Sequence, residues 1–332
     1  MTPATGRGLA GTPFCVAGTP FFLAGATEVM DEPTTLQEVL DLIDPEPLEN
    51  NIFRGYNRDI GSGRVFGGQV LAQALVAARR TVEEGREAHS LHAYFILPGD
   101  LNRPIVYFVE RLRDGGSFST RRVTAIQRGE AIFNLSASFH SPQDGIEHQT
   151  PPPDVPGPEE LTPELERLRA HAHRIPEELR GVLTQDRPID FRVVEDVGLV
   201  NPEPAPPTRH VWLRAEGSMP DDPSLHRALL AYASDYGLLS TVLQPHGYTI
   251  RTPGLQVASL DHALWFHRSF RLDEWLLYAV ESPAAAAARG FARGTVYTRD
   301  GRLVATSAQE GLTRMRPGEG GETAATSGSG PS

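Results

Sequence analysis

The chain reads as an α+β protein of two tandem units, each a long central helix wrapped by an antiparallel β-sheet. The main observation is that one stretch occurs twice. Residues 107–133 read YFVERLRDGGSFSTRRVTAIQRGEAIF, and residues 277–304 read LYAVESPAAAAARGFARGTVYTRDGRLV. In each copy an alternating segment ends in Glu (Glu110, Glu281), followed by an Arg (Arg121, Arg293), a strand, a turn at Gly (Gly129, Gly301) and another strand. The shift is 171 residues between the glutamates and 172 between the arginines (281 − 110 and 293 − 121). SLHAYFILPGD at 90–100 recurs loosely as SLDHALWFHRSF at 259–270. A second observation is that a helical segment precedes the strands of each copy. The third is the period itself, which exceeds the roughly 20–50 residues of a solenoid unit and marks a duplicated domain.

The elements follow in order. Residues 1–34 form an N-terminal extension without a packing pattern and are expected to be disordered. MTPATGRGLAGTPFCVAGTPFFLAGA ends in Ala24-Gly25-Ala26 like a signal peptide, but Pro13 and Pro20 break its apolar run. Cytoplasmic location is therefore the expectation. The first unit covers 35–149. TLQEVLDLI at 35–43 has helical spacing. VFGGQVLAQALVAARR at 65–80 opens on two glycines, and its side chains from Val70 to Ala78 are almost all small or apolar. Such a helix is buried nearly all round. Alternating segments at 91–97, 104–112, 118–128 and 130–140 predict strands, with turns at Pro98-Gly99-Asp100, Asp114-Gly115-Gly116 and Arg128-Gly129.

Residues 150–181 hold a proline-rich linker, TPPPDVPGPEE, and one polar helix at about 162–180. The second unit covers 182–316. Its strands begin near 188–195 and 209–216, and its helix lies within MPDDPSLHRALLAYASDYGLLSTV, with Asp222 as N-cap and Pro223 in the first turn. A strand is expected over 259–266, and the last strands run to about 314. Residues 317–332 are a low-complexity tail, expected to be disordered.

Composition narrows the function classes. With 39% hydrophobic and 22% charged residues the 332-residue chain is of ordinary globular type. A net charge of −11 argues against a nucleic-acid surface, and no run of about 18 apolar residues offers a membrane span. Every basic residue other than His is Arg. The single cysteine, Cys15, supplies neither a disulfide nor a thiolate metal site.

The two halves differ in polar residues. The first helix has no acid between Val65 and Arg80, whereas the second places Asp235 inside AYASDYGLL at the edge of an apolar face. Desolvation there would raise its pKa and suit it to general-base work; a backbone bond or solvent would equally satisfy it. Gln309 stands opposite Ala137 in the repeat, where its amide could hold a water or a carbonyl, or lie exposed on its strand. Ser259 opens the expected strand and could be no more than a turn residue.

The segments FRGYNRDIGSGRVFGGQVLAQAL, LHAYFILPGD, VERLRDGGSFSTRRVTAIQRG, VWLRAEGSMPDD, YASDYGLL, LQPHG, SLDHALWFHR, EWLLYAVES and ARGFARGTVYTRDG resemble the acyl-coenzyme A thioesterase II family over roughly residues 35–316. The resemblance implies a double hotdog fold and hydrolysis of fatty acyl-CoA without metal or cofactor. Asp235, Ser259 and Gln309 match the family's site residues, Ser259 standing where the family usually has Thr. By this resemblance Asp235 activates a water that Ser259 and Gln309 position. Gly67, Gly68 and Gln69, at the start of the first helix, are the candidate substrate-binding positions, with amides placed to receive an oxyanion. Homo-oligomerisation through the sheets is a further implication.

Other chemistries fit less well. No G-x-S-x-G elbow marks a serine hydrolase. Asp221 and His226 have the spacing of a hotdog hydratase pair but fall at a helix start. His89 and His92 flank a strand and could form a His–carboxylate base. A non-catalytic acyl-CoA binding or sensor protein on the same fold is the reading from another class.

Overall fold

The structure is a computed structural model that describes residues 30–316, apart from 32–34, 62, 176, 196 and 199–201. The disorder expected for most of 1–34 and for 317–332 concerns residues outside that set. The first unit begins with a two-residue strand β1 (Met30–Asp31), α1 (Leu36–Leu42), β2 (Glu46–Glu49), β3 (Ile52–Gly55) and β4 (Arg58–Asp59), which pairs with β1. A reciprocal capping box between Thr35 and Glu38 starts α1. Then come α2 (Gly67–Arg79), β5 (Glu87–Phe95), β6 (Ile105–Asp114), β7 (Phe118–Gln127) and β8 (Glu130–His140). All of α2 from Gly68 to Ala78 is buried except Val76, as its composition predicts.

The polar segment expected as one helix forms two, α3 (Glu164–Ala170) and α4 (Glu177–Thr184). The break has a local cause. Ile175 precedes Pro176, whose ring pushes the residue before it out of the helical region, and Ile175 is extended at φ −85°, ψ 132°. The second unit contains β9 (Ile189–Val193), β10 (Thr208–Ala215), α5 (Pro223–Ser234), α6 (Leu238–Leu243) and β11 (Leu255–Ser259). It ends with β12 (Asp261–Phe266), β13 (Leu276–Ala286), β14 (Arg289–Thr298) and β15 (Leu303–Met315). Asp222 caps α5 by accepting from the Ser224 N–H at 2.8 Å.

Thirteen strands join into one sheet in the order β2-β3-β6-β7-β8-β5-β12-β15-β14-β13-β10-β9, with β11 alongside β15. The halves meet where β5 pairs with β12, Leu91 opposite Leu264 and His92 opposite Ala263. Ala93 lies opposite His262 in the same register, so the recurring segments 90–100 and 259–270 pair with each other across the seam. The sequence repeat is therefore a pseudo-twofold axis through this seam.

Inside the sheet α2 and α5 lie against each other in opposite directions. Near the start of α2, Gly68 abuts the Tyr232 carbonyl close to the end of α5. At the other end Arg79 donates from Nε to Ser224 Oγ at 3.2 Å. Leu71, Leu229 and Leu230 are fully buried between the helices and the sheet, each contributing about 1.5–3 kcal/mol. The arginines of the repeat have diverged. Arg121 is buried and donates to Thr81 O just past the end of α2, whereas Arg293 is exposed and pairs with Glu281. The proline-rich linker lies on the second unit, where Pro156 O accepts from Trp212 Nε1 at 2.9 Å and Pro151 O from the Tyr297 hydroxyl at 3.2 Å.

Candidate active site

Asp235 lies not within a helix but at its end. It is the C-cap of α5, and Gly237 at φ 84° turns the chain into α6. That left-handed conformation suits glycine, which has no Cβ to clash. The break lifts the carboxylate off the helix surface and places it against the first turn of α2 in the other half. A Cβ at Gly67 would lie 2.6 Å from Asp235 Oδ2, so only glycine admits this approach. Phe66, the N-cap of α2, makes no side-chain cap bond, and the first amides of a helix have no intrahelical acceptor. The first turn of α2 thus starts without a side-chain cap, and its Gly67 abuts the acid.

The strands bring the other candidates to the same point. Gln309 on β15 donates from Nε2 to Asp235 Oδ1 at 2.7 Å and to Ser259 Oγ at 3.2 Å. Ser259 closes β11 rather than opening a strand. Leu260 separates β11 from β12, its N–H donating to Glu310 O and its carbonyl accepting from the Phe95 N–H. That jog places the Ser259 hydroxyl beside Gln309. Both Gln309 and the Asp235 side chain are buried, the latter 7% exposed.

His262 and Ser234 also belong to this cluster, and the sequence reading missed them. His262 is fully enclosed, with Nδ1 at 3.3 Å from Gln309 Nε2 and Nε2 at 3.0 Å from Ser234 Oγ. Burial pushes its pKa down, and the carboxylates of Asp235 and Asp261 only partly offset this. The lowered pKa favours the neutral ring, for which the 3.7 Å separation from Asp235 Oδ1 is a contact and not an ion pair. Its partners select the tautomer. The Ser234 hydroxyl gives its proton to Ala231 O at 3.0 Å, so His262 Nε2–H donates to Ser234 Oγ. The unprotonated Nδ1 lies against the Gln309 amide, whose two hydrogens go to Asp235 and Ser259. A visible signal was the inward parity of His262 with Leu264 and Phe266 on β12, all three buried.

Other candidates fall elsewhere. Gln69 is buried, but its side-chain amide donates to Tyr56 O and Asn57 Oδ1 and accepts from Arg58 N–H. The side chain holds the preceding loop, so the candidate contact at this position is its backbone N–H. Asp221 is 97% exposed and pairs with Arg271, while His226 Nδ1 accepts from Leu272 N–H; no hydrogen bond joins them among the described residues. His89 bonds Ser138 Oγ at 2.8 Å, and His92 packs edge-on against Trp265.

A carboxylate, an amide and a hydroxyl converge here on the N-terminus of a helix from the opposite half. With the two-unit fold, they mark a hotdog protein in which a buried carboxylate of one half stands against the first turn of a helix of the other. A family model described as acyl-CoA thioesterase matches residues 184–312, and one described as acyl-CoA thioesterase N-terminal domain matches 56–140. Acyl-CoA thioesterase 2 of Haemophilus influenzae is 42% identical over 280 residues, 84% of this chain and 98% of its own. Human acyl-coenzyme A thioesterase 8 is 39% identical, covering 86% of this chain and 92% of its own. The crystal structure of an acyl-CoA thioesterase II from Mycobacterium marinum superposes with a TM-score of 0.70 at 43% identity, over 84% of this chain and 99% of that one. A hot dog protein of unknown function from Alicyclobacillus acidocaldarius shares the fold at 18% identity, TM-score 0.67, over 84% of this chain and 98% of that one. The chain belongs to the acyl-CoA thioesterase family and is an acyl-CoA thioester hydrolase.

Proposed function

We propose that Asp235 is the general base that draws a proton from water as it attacks the thioester carbonyl of a fatty acyl-CoA. The observation carrying this reading is the 2.7 Å bond from Gln309 to Asp235 Oδ1, beside Ser259 and facing Gly67. The water oxygen forms the new bond to the carbonyl carbon, and its proton passes to Asp235. The carbonyl oxygen becomes an oxyanion received by the amides at the start of α2. Collapse breaks the carbon–sulfur bond, and the proton on Asp235 goes to the departing CoA sulfur. Ser259 and Gln309 hold the water throughout. Within this reading Gly67 and Gly68 contribute backbone groups and a close approach, and the acid comes from the other half, giving one site per chain.

The same reading takes the enzyme as a cytoplasmic homo-oligomer acting in fatty acid metabolism. The single cysteine suits a reducing compartment, and the exposed Tyr94, Phe108 and Phe118 offer apolar surface for association. Asp235→Asn preserves shape and removes the base. Its turnover of palmitoyl-CoA, followed by thiol release, is expected to fall about 10²–10⁴-fold with an unchanged circular dichroism spectrum. Near-normal turnover by the folded variant would refute the mechanism.

A further inference from the structure

The pseudo-twofold that builds the Asp235 site also builds its counterpart at the opposite end of the helix pair. There the C-terminal end of α2 meets the N-terminal end of α5 around a cavity of about 470 Å³. Its size falls within the roughly 300–1,000 Å³ of small-molecule sites. The shift of 172 residues carries Gln309 to Ala137, the loose recurrence of 90–100 at 259–270 sets Ser259 against Ser90, and Glu87 lines this cavity. Where α5 ends in Asp235, α2 ends in Arg79 and its C-cap Arg80. The base and the amide are replaced, and the charge at the helix end is inverted.

The walls are chiefly apolar, from Leu40, Leu75, Val76, Phe139 and Leu225. Within them Arg227, its side chain only 9% exposed, donates to Glu87 at 2.6 Å and leaves its Nε without a partner among the described groups. Arg80 pairs with Asp44. Among the described residues Arg79 has neutral partners only, Ser224 Oγ at 3.2 Å and Val82 O at 3.3 Å. The remaining acids, Asp41 and Asp222, are exposed, so water screens them, and each is engaged, Asp41 by the Gln37 amide and Asp222 by the Ser224 N–H. Burial lowers the pKa of Arg227, and the Arg79 charge beside it adds to this against the opposing Glu87 and Asp222. Two guanidiniums facing one inner carboxylate, over an apolar wall, match a single negative charge on a hydrocarbon.

We propose that this second crevice binds a fatty carboxylate, its head on Arg79 and its chain along Leu75, Val76 and Phe139, without hydrolysing it. The test is equilibrium dialysis of sodium dodecanoate against the full chain, with dodecanol as the uncharged comparison. Val76→Trp, which fills the crevice, is expected to remove one bound equivalent per chain. Arg79→Met is expected to weaken that equivalent about tenfold or more, and wild type to hold dodecanol weaker than dodecanoate by a similar factor. Both variants keep the wild-type initial rate of thioester hydrolysis, because neither residue lies at Asp235. Asp235→Asn keeps the equivalent, so failure of the hydrolytic mechanism would leave this inference standing. Equal stoichiometry in wild type and Val76→Trp, or dodecanol binding as tight as dodecanoate, would overturn it. If Val76→Trp fails to fold, an unchanged affinity in Arg79→Met overturns it alone.

Discussion

His262 is enclosed by Asp235, Asp261, Gln309 and Ser234, and its pKa is held below the ordinary 6.5 chiefly by burial. Between that lowered value and 6.5 the unfolded chain binds a proton that the folded chain does not. The contribution of this residue is therefore full above pH 6.5 and declines as the pH falls toward the folded value. His89, His226 and His267 are lowered in the same sense and add to the effect. Urea midpoints measured from pH 7.5 to 5 should fall, and His262→Gln should lessen the fall by up to about 1.4 kcal/mol per pH unit. A wild-type slope in that variant would mean that His262 is charged in the fold.

At the scale of elements, the end of α5 decides where the acid stands. Gly237→Ala places a Cβ at φ 84°, at a cost of about 1–2 kcal/mol, and 3.4 Å from Arg209 Nη1. The expected result is a lower melting temperature together with reduced turnover, since the turn also aims Asp235; full activity would uncouple the two. Much of this was legible in sequence. Composition showed α2 buried all round, alternation found β5 to β8, and Asp222-Pro223 marked the start of α5. Asp235 and Gln309 stood out because their counterparts in the first half are bland, and Ser259 through the family resemblance. The breaks were harder. The segment around Asp235 keeps helical spacing through the turn, and 259–266 keeps strand spacing through Leu260, so periodicity runs across both. His262 was hidden for a related reason: its partners lie 28 and 47 residues away, and only the sheet brings them together.

Across the whole molecule, β5 and β12 fuse the halves into one sheet and α2 shares its buried surface with α5. Neither half can unfold without exposing the helix of the other. Calorimetry should give one transition whose van't Hoff and calorimetric enthalpies agree; two resolved transitions would contradict this. The starts of the two helices carry a further consequence. α5 opens on an aspartate that occupies its own first-turn amide, while α2 opens on Phe66 and leaves its amides open. In a symmetric pair of identical subunits one helix sequence would have to begin bare and end acidic. Joined in a single polypeptide, the two helices divide those demands, and a mutation that suits one end need not be suffered at the other.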